Sequence, residues 1–73
     1  MIRPLTWYAH WASHAATAES DGRFRFADRI TEFACEAIEL EVTPEDREAA
    51  SNAWDDAYRA QRRARDMKNR NHY

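Results

Sequence analysis

The sequence is poor in the residues that form tight turns, with one glycine and two prolines in 73 residues. An all-β protein of this length would need several tight turns and the glycines that form them. Alanine, glutamate and arginine dominate instead, and these are strong helix formers. The composition therefore argues against a small sheet protein and predicts an all-α domain.

Cysteine and long apolar runs are also scarce. The single cysteine, Cys35, excludes an internal disulfide framework and a cysteine-cluster zinc site, and a reducing, cytoplasmic setting is the simplest expectation. No apolar run approaches the ~20 residues that span a bilayer, and the first residues lack the pattern of a secretory signal. We expect a cytoplasmic protein without membrane contact, and a Cys35 that is buried as a small apolar residue rather than reactive.

Charge is distributed unevenly along the chain, although the net charge is only −2. Residues 28–56 carry ten acidic residues against two arginines, whereas residues 57–73 carry six basic residues against one acid. The middle of the chain is therefore an acidic block and the end a basic one. Ten arginines against one lysine also suggest a GC-rich coding source such as a bacterium, phage or plasmid.

Two breaks divide the chain into three predicted helices. Gly22 suits the left-handed residue that ends a helix, whereas Thr43 and Pro44 suit a helix start with Thr43 as the cap. The apolar spacing predicts three helices and a short tail, over about residues 5–19, 25–42, 44–68 and 69–73. We predict a single domain over residues 1–73, a small three-helix bundle with a long C-terminal helix.

The apolar faces of the helices are broader than a small bundle needs. On the first two helices they cover roughly 200°, against the ~100° that a surface helix requires, so each should contact more than one neighbour. The third helix has a predicted core line of small residues that needs bulky partners opposite, and the Trp and Phe side chains of the first two helices are expected to fill this role in the core. This line consists of Ala50, Ala53, Ala57, Ala60, Ala64 and Met67. We therefore expect a homodimer or an obligate complex.

The segment HWASH places His10 and His14 four residues apart, on one side of the first helix. They supply two of the four ligands that zinc prefers, and the glutamate of an HExxH motif is absent because Trp11 follows His10. Cys35, a carboxylate or His72 would have to complete the set. We predict ordinary boundary histidines, no metal and no cofactor, and keep a metal-binding helical protein as an alternative.

Two charged surfaces are the predicted partner-binding regions. The acidic face of helix 2 consists of Asp28, Glu32, Glu36 and Glu39. The basic end of helix 3 consists of Arg59, Arg62, Arg63 and Arg65. Each also has a simpler interpretation: the acids form a solvated face, and the arginines pair with Asp55, Asp56 and Asp66 within the helix. His72 and Tyr73 could add base stacking at the basic end.

The pair Trp7 and Trp11 is expected in the core, and would become an interface anchor if exposed. No glycine-rich phosphate loop and no Ser-His-Asp arrangement is evident, so we predict that the protein is not an enzyme. The leading hypothesis is a small accessory or inhibitory protein of phage or plasmid type, acting by contact with another protein. The alternative is a nucleic-acid-binding protein that uses the basic end of helix 3.

Overall fold

Helices make up nearly all of the chain in the computed structural model, which describes the backbone of residues 3–70 and the side chains of residues 3–67. Helix α1 spans Leu5–Ser20, α2 spans Phe24–Glu39 and α3 spans Pro44–Arg70. No strand occurs between residues 3 and 70. The predicted all-α fold with a long C-terminal helix is confirmed, and residues 69–70 belong to α3 rather than to a tail.

The turn between α1 and α2 is built on the only glycine of the sequence. Gly22 has a φ of +80°, in the left-handed region that favours glycine. Its N–H donates to the carbonyl of Glu19 at 3.1 Å, and the N–H of Arg23 donates to the carbonyl of Ala18 at 2.8 Å. These two bonds form a Schellman motif, so α1 ends as the sequence predicts.

The second turn separates α2 from α3 and is fixed by a side-chain cap. The Thr43 hydroxyl accepts a hydrogen bond from the N–H of Asp46 at 3.1 Å, which satisfies one of the free donors at the start of α3. Pro44 occupies the first helical position, where its missing N–H costs nothing. The predicted cap and start of α3 are therefore confirmed.

Helix α2 ends at Glu39, three residues before its predicted end. Leu40 and Val42 are 78% and 80% exposed, so the apolar residues that extended the predicted helix do not reach the core. Glu41, between them, is instead buried and accepts a hydrogen bond from the Tyr8 hydroxyl. The chain therefore leaves the helix after Glu39, in a turn that places the Glu41 side chain in the core.

Helix α1 lies between the other two helices. It runs parallel to α3, because Thr17 contacts Gln61 and, one turn further along both helices, Asp21 contacts Arg65. It packs along both α2 and α3, whereas α2 and α3 touch each other little. The Cα atoms extend over 47 × 21 × 14 Å, so the predicted three-helix bundle is confirmed and is elongated along the long helix α3.

The core is made mainly of alanine. Its buried apolar residues are Tyr8, Ala12, Ala15, Ala16, Ala18, Ala27, Ile30, Ala34, Ala37 and Ala50. Tyr8 is the largest fully buried side chain and packs with Ala37 and Ala50, where the three helices meet. Small side chains let helix axes approach closely, which explains how so short a chain forms tight helix contacts.

The predicted core line of α3 is buried only at its beginning. Ala50 is fully buried, but Ala60 and Ala64 are exposed and Met67 is 65% exposed. On a straight helix, residues that repeat every seven positions drift by ~20° around the axis with each repeat, so the later residues of this line turn away from the neighbouring helix. Of the bulky side chains expected opposite this line, Trp7 of α1 packs against the core cluster that contains Ala50, whereas Phe26 and Phe33 of α2 are exposed.

Candidate functional site

A cluster of polar side chains joins the end of α1 to the C-terminal half of α3. The carboxylate of Glu19 accepts hydrogen bonds from the Tyr58 hydroxyl and from an Arg62 nitrogen, the second at 2.5 Å. One turn further along, Arg65 forms a salt bridge with Asp21. Two of the four arginines predicted to bind a partner are therefore engaged with α1.

Proton affinities in this cluster are shifted by the same contacts. The hydrogen bond from Tyr58 and the charge of Arg62 hold the pKa of Glu19 below its ordinary value of 4.5. The hydrogen bond to Glu19 raises the pKa of Tyr58 above its ordinary value. The cluster thus has one ionised carboxylate held by a neutral phenol and a guanidinium, which is a structural arrangement rather than an acid–base pair.

A second polar contact lies in the core, where the Tyr8 hydroxyl donates to Glu41 Oε1 at 3.0 Å. The backbone N–H of Arg3 donates to the same oxygen at 3.2 Å, and Glu41 Oε2 has no hydrogen-bond partner among the described residues. Burial, together with the hydrogen bond to Glu41, raises the pKa of Tyr8 to about 12. This contact was missed by sequence reasoning, because 33 residues separate the two side chains.

The acidic face of α2 is fully presented to solvent. Its four carboxylates are exposed, on Asp28, Glu32, Glu36 and Glu39. Among the side chains of residues 3–67 the salt bridges join α1 to α3, and none involves this face. Glu32 and Glu36, together with Arg29 and Phe33, line an open groove. The acidic face is therefore left without an ion pair by the described part of the chain.

The basic end of α3 is divided into two sides. Arg62 and Arg65 point to α1, whereas Arg59 and Arg63 are exposed and line a shallow groove beside Tyr58. The expected pairing with Asp55, Asp56 and Asp66 is not formed by the described side chains, because the arginine partners lie across on α1. His72 and Tyr73, considered for base stacking, lie outside the described residues.

The two histidines of HWASH lie side by side, with ring centroids 4.5 Å apart, and both are exposed. They border an open groove of about 450 Å³ between α1 and α3, which Thr17 and Gln61 also line. No group of three or more potential metal-ligating residues is found within the described residues. His10 and His14 thus offer two donors there, and a complete metal site would need further ligands.

Aromatic side chains form a partly exposed surface across α1 and α2. Trp7 lies 5.6 Å from Phe33 and 6.5 Å from Trp11, measured between ring centroids. The guanidinium of Arg3 lies 4.7 Å from the Trp7 ring. Both tryptophans are only half-buried, so they lie at the edge of the core rather than inside it. Apolar rings bordered by charged groups are typical of a protein-binding surface.

Cys35 is exposed, which corrects the prediction that it is buried. The side of α2 that faces α1 is occupied by alanines and Ile30, and Cys35 lies outside that face. No helix of the described residues is long and apolar enough to cross a membrane.

The chain matches no protein-family model, no curated protein and no solved structure. Its function therefore has to be inferred from its own surface. Two features of that surface have few partners within the described chain. The acidic face of α2 forms no salt bridge there, and the aromatic side chains next to it are partly exposed.

Proposed function

We propose that this protein is a small, non-enzymatic helical interaction protein that acts in the cytoplasm by protein–protein contact. It would be an accessory or inhibitory protein of the type expected on phages and plasmids. We assign the acidic face of α2 to the partner, which is a basic segment of another protein. One observation supports this assignment: arginines of α3 are paired with acids of α1, whereas the acidic face of α2 has no salt bridge among the described side chains.

The electrostatics of α2 favour a basic partner. Asp28, Glu32 and Glu36 are successive i, i+4 neighbours, and each such like-charge pair destabilises a helix by about 0.2–0.5 kcal/mol. A partner that brings arginine or lysine to this face relieves the repulsion. Complementary charge also speeds association and discriminates against acidic partners. The face is thus suited to selecting a partner rather than to stabilising the fold.

The proposal can be tested by capturing partners with charge-reversed baits in a lysate of the organism that encodes the chain. In the test bait, Asp28→Lys, Glu32→Lys and Glu39→Lys reverse three exposed charges on α2. We expect a protein captured by the wild type to be lost, because its basic segment now meets positive charge. Mass spectrometry identifies the captured protein, and a purified complex confirms direct contact.

The matched control reverses three exposed acids of α3, by Glu48→Lys, Asp55→Lys and Asp56→Lys. Both baits undergo the same change in net charge, so a loss specific to the α2 variant reports on the acidic face. Capture that is lost equally with both variants would reflect net charge alone. No capture by the wild type, or capture unaffected by the α2 variant, would contradict the proposal.

Nucleic-acid binding through α3 is the second candidate function. It is supported by Arg59 and Arg63, which are exposed beside Tyr58 in a shallow groove. It predicts that the affinity for a single-stranded DNA probe falls steeply with salt and is reduced by Arg59→Ala and Arg63→Ala. The pairing of Arg62 and Arg65 with α1 leaves fewer free charges for phosphate, so we rank this function below the first. Absent or salt-insensitive binding would reject it.

A further inference from the structure

Beside its acidic face, α2 carries a second surface that has an ordered pattern. Five residues spaced 3-4-3-4 fall within about 80° of one another on the helix, with Leu40 just past the last helical residue. We call them the α2 seam, and they are Phe26, Arg29, Phe33, Glu36 and Leu40. All five are exposed, including Phe26 at 45% and Phe33 at 53%. The spacing is that of a heptad stripe, with apolar residues at one of its two positions and the single charges of Arg29 and Glu36 at the other.

The rest of the described chain leaves the α2 seam exposed, although the Arg23 guanidinium lies 5.2 Å from the centre of the Phe26 ring. Helix α2 packs on α1 through a different side, on which Ala27, Ile30, Ala34 and Ala37 are buried. Helix α3 makes few contacts with α2. Of the aromatic side chains of α1, Trp7 reaches Phe33, but it leaves that ring half-exposed. A helix that carries two phenylalanines and a leucine in a row toward solvent is incomplete as a monomer.

When the α2 seam is aligned with a copy of itself in the opposite direction, apolar residues come opposite apolar residues and the positive charge comes opposite the negative one. Phe33 is the centre, with Phe26 seven residues before it and Leu40 seven residues after it. Arg29 lies four residues before the centre and Glu36 three residues after it. When two copies of α2 run antiparallel about Phe33, Phe26 of one copy lies level with Leu40 of the other, since both are seven residues from the centre. Arg29 lies one residue, about 1.5 Å along the axis, from the level of Glu36 in the other copy, a distance that these long side chains can span.

We propose that a second copy of this chain covers the α2 seam, with the two α2 helices antiparallel about a two-fold axis at Phe33. The two Phe33 rings meet at the axis. Phe26 of each copy faces Leu40 of the other, and Arg29 of each copy faces Glu36 of the other. Every contact occurs twice, so two apolar pairs and two ion pairs flank the central rings. An unrelated partner would have to supply this alternation independently, whereas a second copy supplies it by symmetry.

The exposed area of the molecule agrees with such an interface. The chain has 5596 Å² of accessible surface, whereas a compact monomer of 8.6 kDa is expected to expose about 4,700 Å². The excess of about 900 Å² is close to the ~800 Å² that each partner buries in a standard interface. The elongated shape of the molecule contributes part of the excess, and Phe26, Phe33 and Leu40 of the α2 seam are among its exposed large apolar side chains.

This inference is independent of the proposed function. Three residues of the acidic face, Asp28, Glu32 and Glu39, lie outside the α2 seam and remain exposed in the dimer. A dimer would therefore present two acidic faces to partners. If the capture experiment fails, the proposed dimer still stands. If the chain is monomeric, the acidic face is still exposed to a partner.

The first test measures the mass of the purified chain in solution by sedimentation equilibrium over a range of concentrations. The wild type is expected to approach twice its chain mass of 8.6 kDa. Phe33→Ala is expected to weaken the dimer by at least tenfold, since it removes both central rings. Phe24→Ala is the matched control, because Phe24 is 62% exposed on the opposite flank of α2. Circular dichroism confirms that both variants remain helical.

The second test exchanges charges and reports the register. Arg29→Glu alone, or Glu36→Arg alone, places like charges opposite each other twice and should weaken the dimer roughly tenfold, given modest energies for exposed pairs. The double variant Arg29→Glu/Glu36→Arg restores opposite charges and should recover the wild-type affinity. In a monomer these two residues are seven apart on one helix and do not pair, so recovery requires two copies.

A chain that is monomeric at all concentrations would overturn the proposal. So would a dimer that is unaffected by Phe33→Ala, or one in which the double variant is as weak as the single variants, because either result places the contact elsewhere. Loss of dimer in Phe33→Ala with retention in Phe24→Ala, together with recovery in the double variant, would support the antiparallel α2 pairing.

Discussion

Helices α3 and α2 pack against opposite sides of α1 in different ways. Polar side chains join α3 to α1, including the hydrogen bond from Gln61 to Thr17 at 3.0 Å and the Glu19 cluster. Among the described side chains no hydrogen bond joins α1 to α2, whose contact is made by alanines, Ile30 and the Trp7–Phe33 pair. Hydrogen bonds are directional and fix a register, whereas apolar packing alone specifies orientation less strictly.

This difference indicates which side of the molecule is complete. On the α3 side, the large and charged side chains next to α1 have partners within the chain. On the α2 side, Phe26 and Phe33 stay about half-exposed despite their contacts with Arg23 and Trp7, and the row of carboxylates forms no salt bridge among the described side chains. Both the proposed partner site and the proposed dimer therefore lie on α2.

The largest expected effect comes from enlarging a side chain in the alanine core, on which the contacts of α1 with α2 and with α3 both depend. Ala12 is fully buried in the central helix, so Ala12→Leu should lower the free energy of unfolding by about 3 kcal/mol. Ala64→Leu is the control, because Ala64 is exposed on α3 and should change stability by less than ~0.5 kcal/mol. Urea denaturation measures both. Equal effects would mean that α1 is not the tightly packed centre.

Tyr8→Phe should have the next largest effect, since it removes the hydroxyl that donates to the buried Glu41. The free energy of unfolding should fall by about 1–3 kcal/mol, because a buried carboxylate oxygen loses a donor. Urea denaturation gives the value. The double variant Tyr8→Phe/Glu41→Leu should recover part of the loss, and no recovery would contradict the importance of the buried polar pair.

Glu19→Gln tests the polar contact between α1 and α3 and should cost less than about 1 kcal/mol at neutral pH, because the site is partly exposed and screened. The pKa of Glu19 is lowered on folding, so its contribution is present above the ordinary value of 4.5 and is lost as pH falls below it. The difference in thermal midpoint between wild type and variant should therefore shrink in acid. A constant difference would argue against the ionised carboxylate as the stabilising species.

Cys35→Ser should have the smallest effect, below ~0.5 kcal/mol, because Cys35 is exposed on a side of α2 that contacts neither helix closely. Reaction of the folded wild type with a thiol reagent should be complete without denaturant. Protection of the thiol, or a loss of stability comparable to that of Tyr8→Phe, would place Cys35 at a contact.

Local signals in the sequence predicted the helices well, because each boundary depends on residues close in the chain. Gly22 allows the left-handed turn, and Thr43 and Pro44 start α3. The end of α2 was predicted too late because Glu41 turns toward Tyr8, a contact across 33 residues that no local pattern carries. Burial of this carboxylate depends on the whole fold.

The arrangement of the helices was less predictable than their existence. Periodicity identifies an apolar face but not the helix that covers it, so the phenylalanines of α2 were expected in the core, where alanines are found instead. The α3 arginines were expected to pair within their own helix, yet Arg62 and Arg65 reach α1. The acidic face was predicted at its observed location, since exposure follows directly from charge.

The bundle measures only 14 Å between Cα atoms in its shortest dimension. In such a molecule most backbone amides lie within one side-chain length of water, and only the middle helix is shielded by neighbours on two sides. Deuterium uptake should therefore rank the helices, with α1 exchanging last because its amides open only when the whole bundle unfolds. A partner or second copy seated on α2 would slow exchange there first, which makes isotope labelling a direct readout of occupancy.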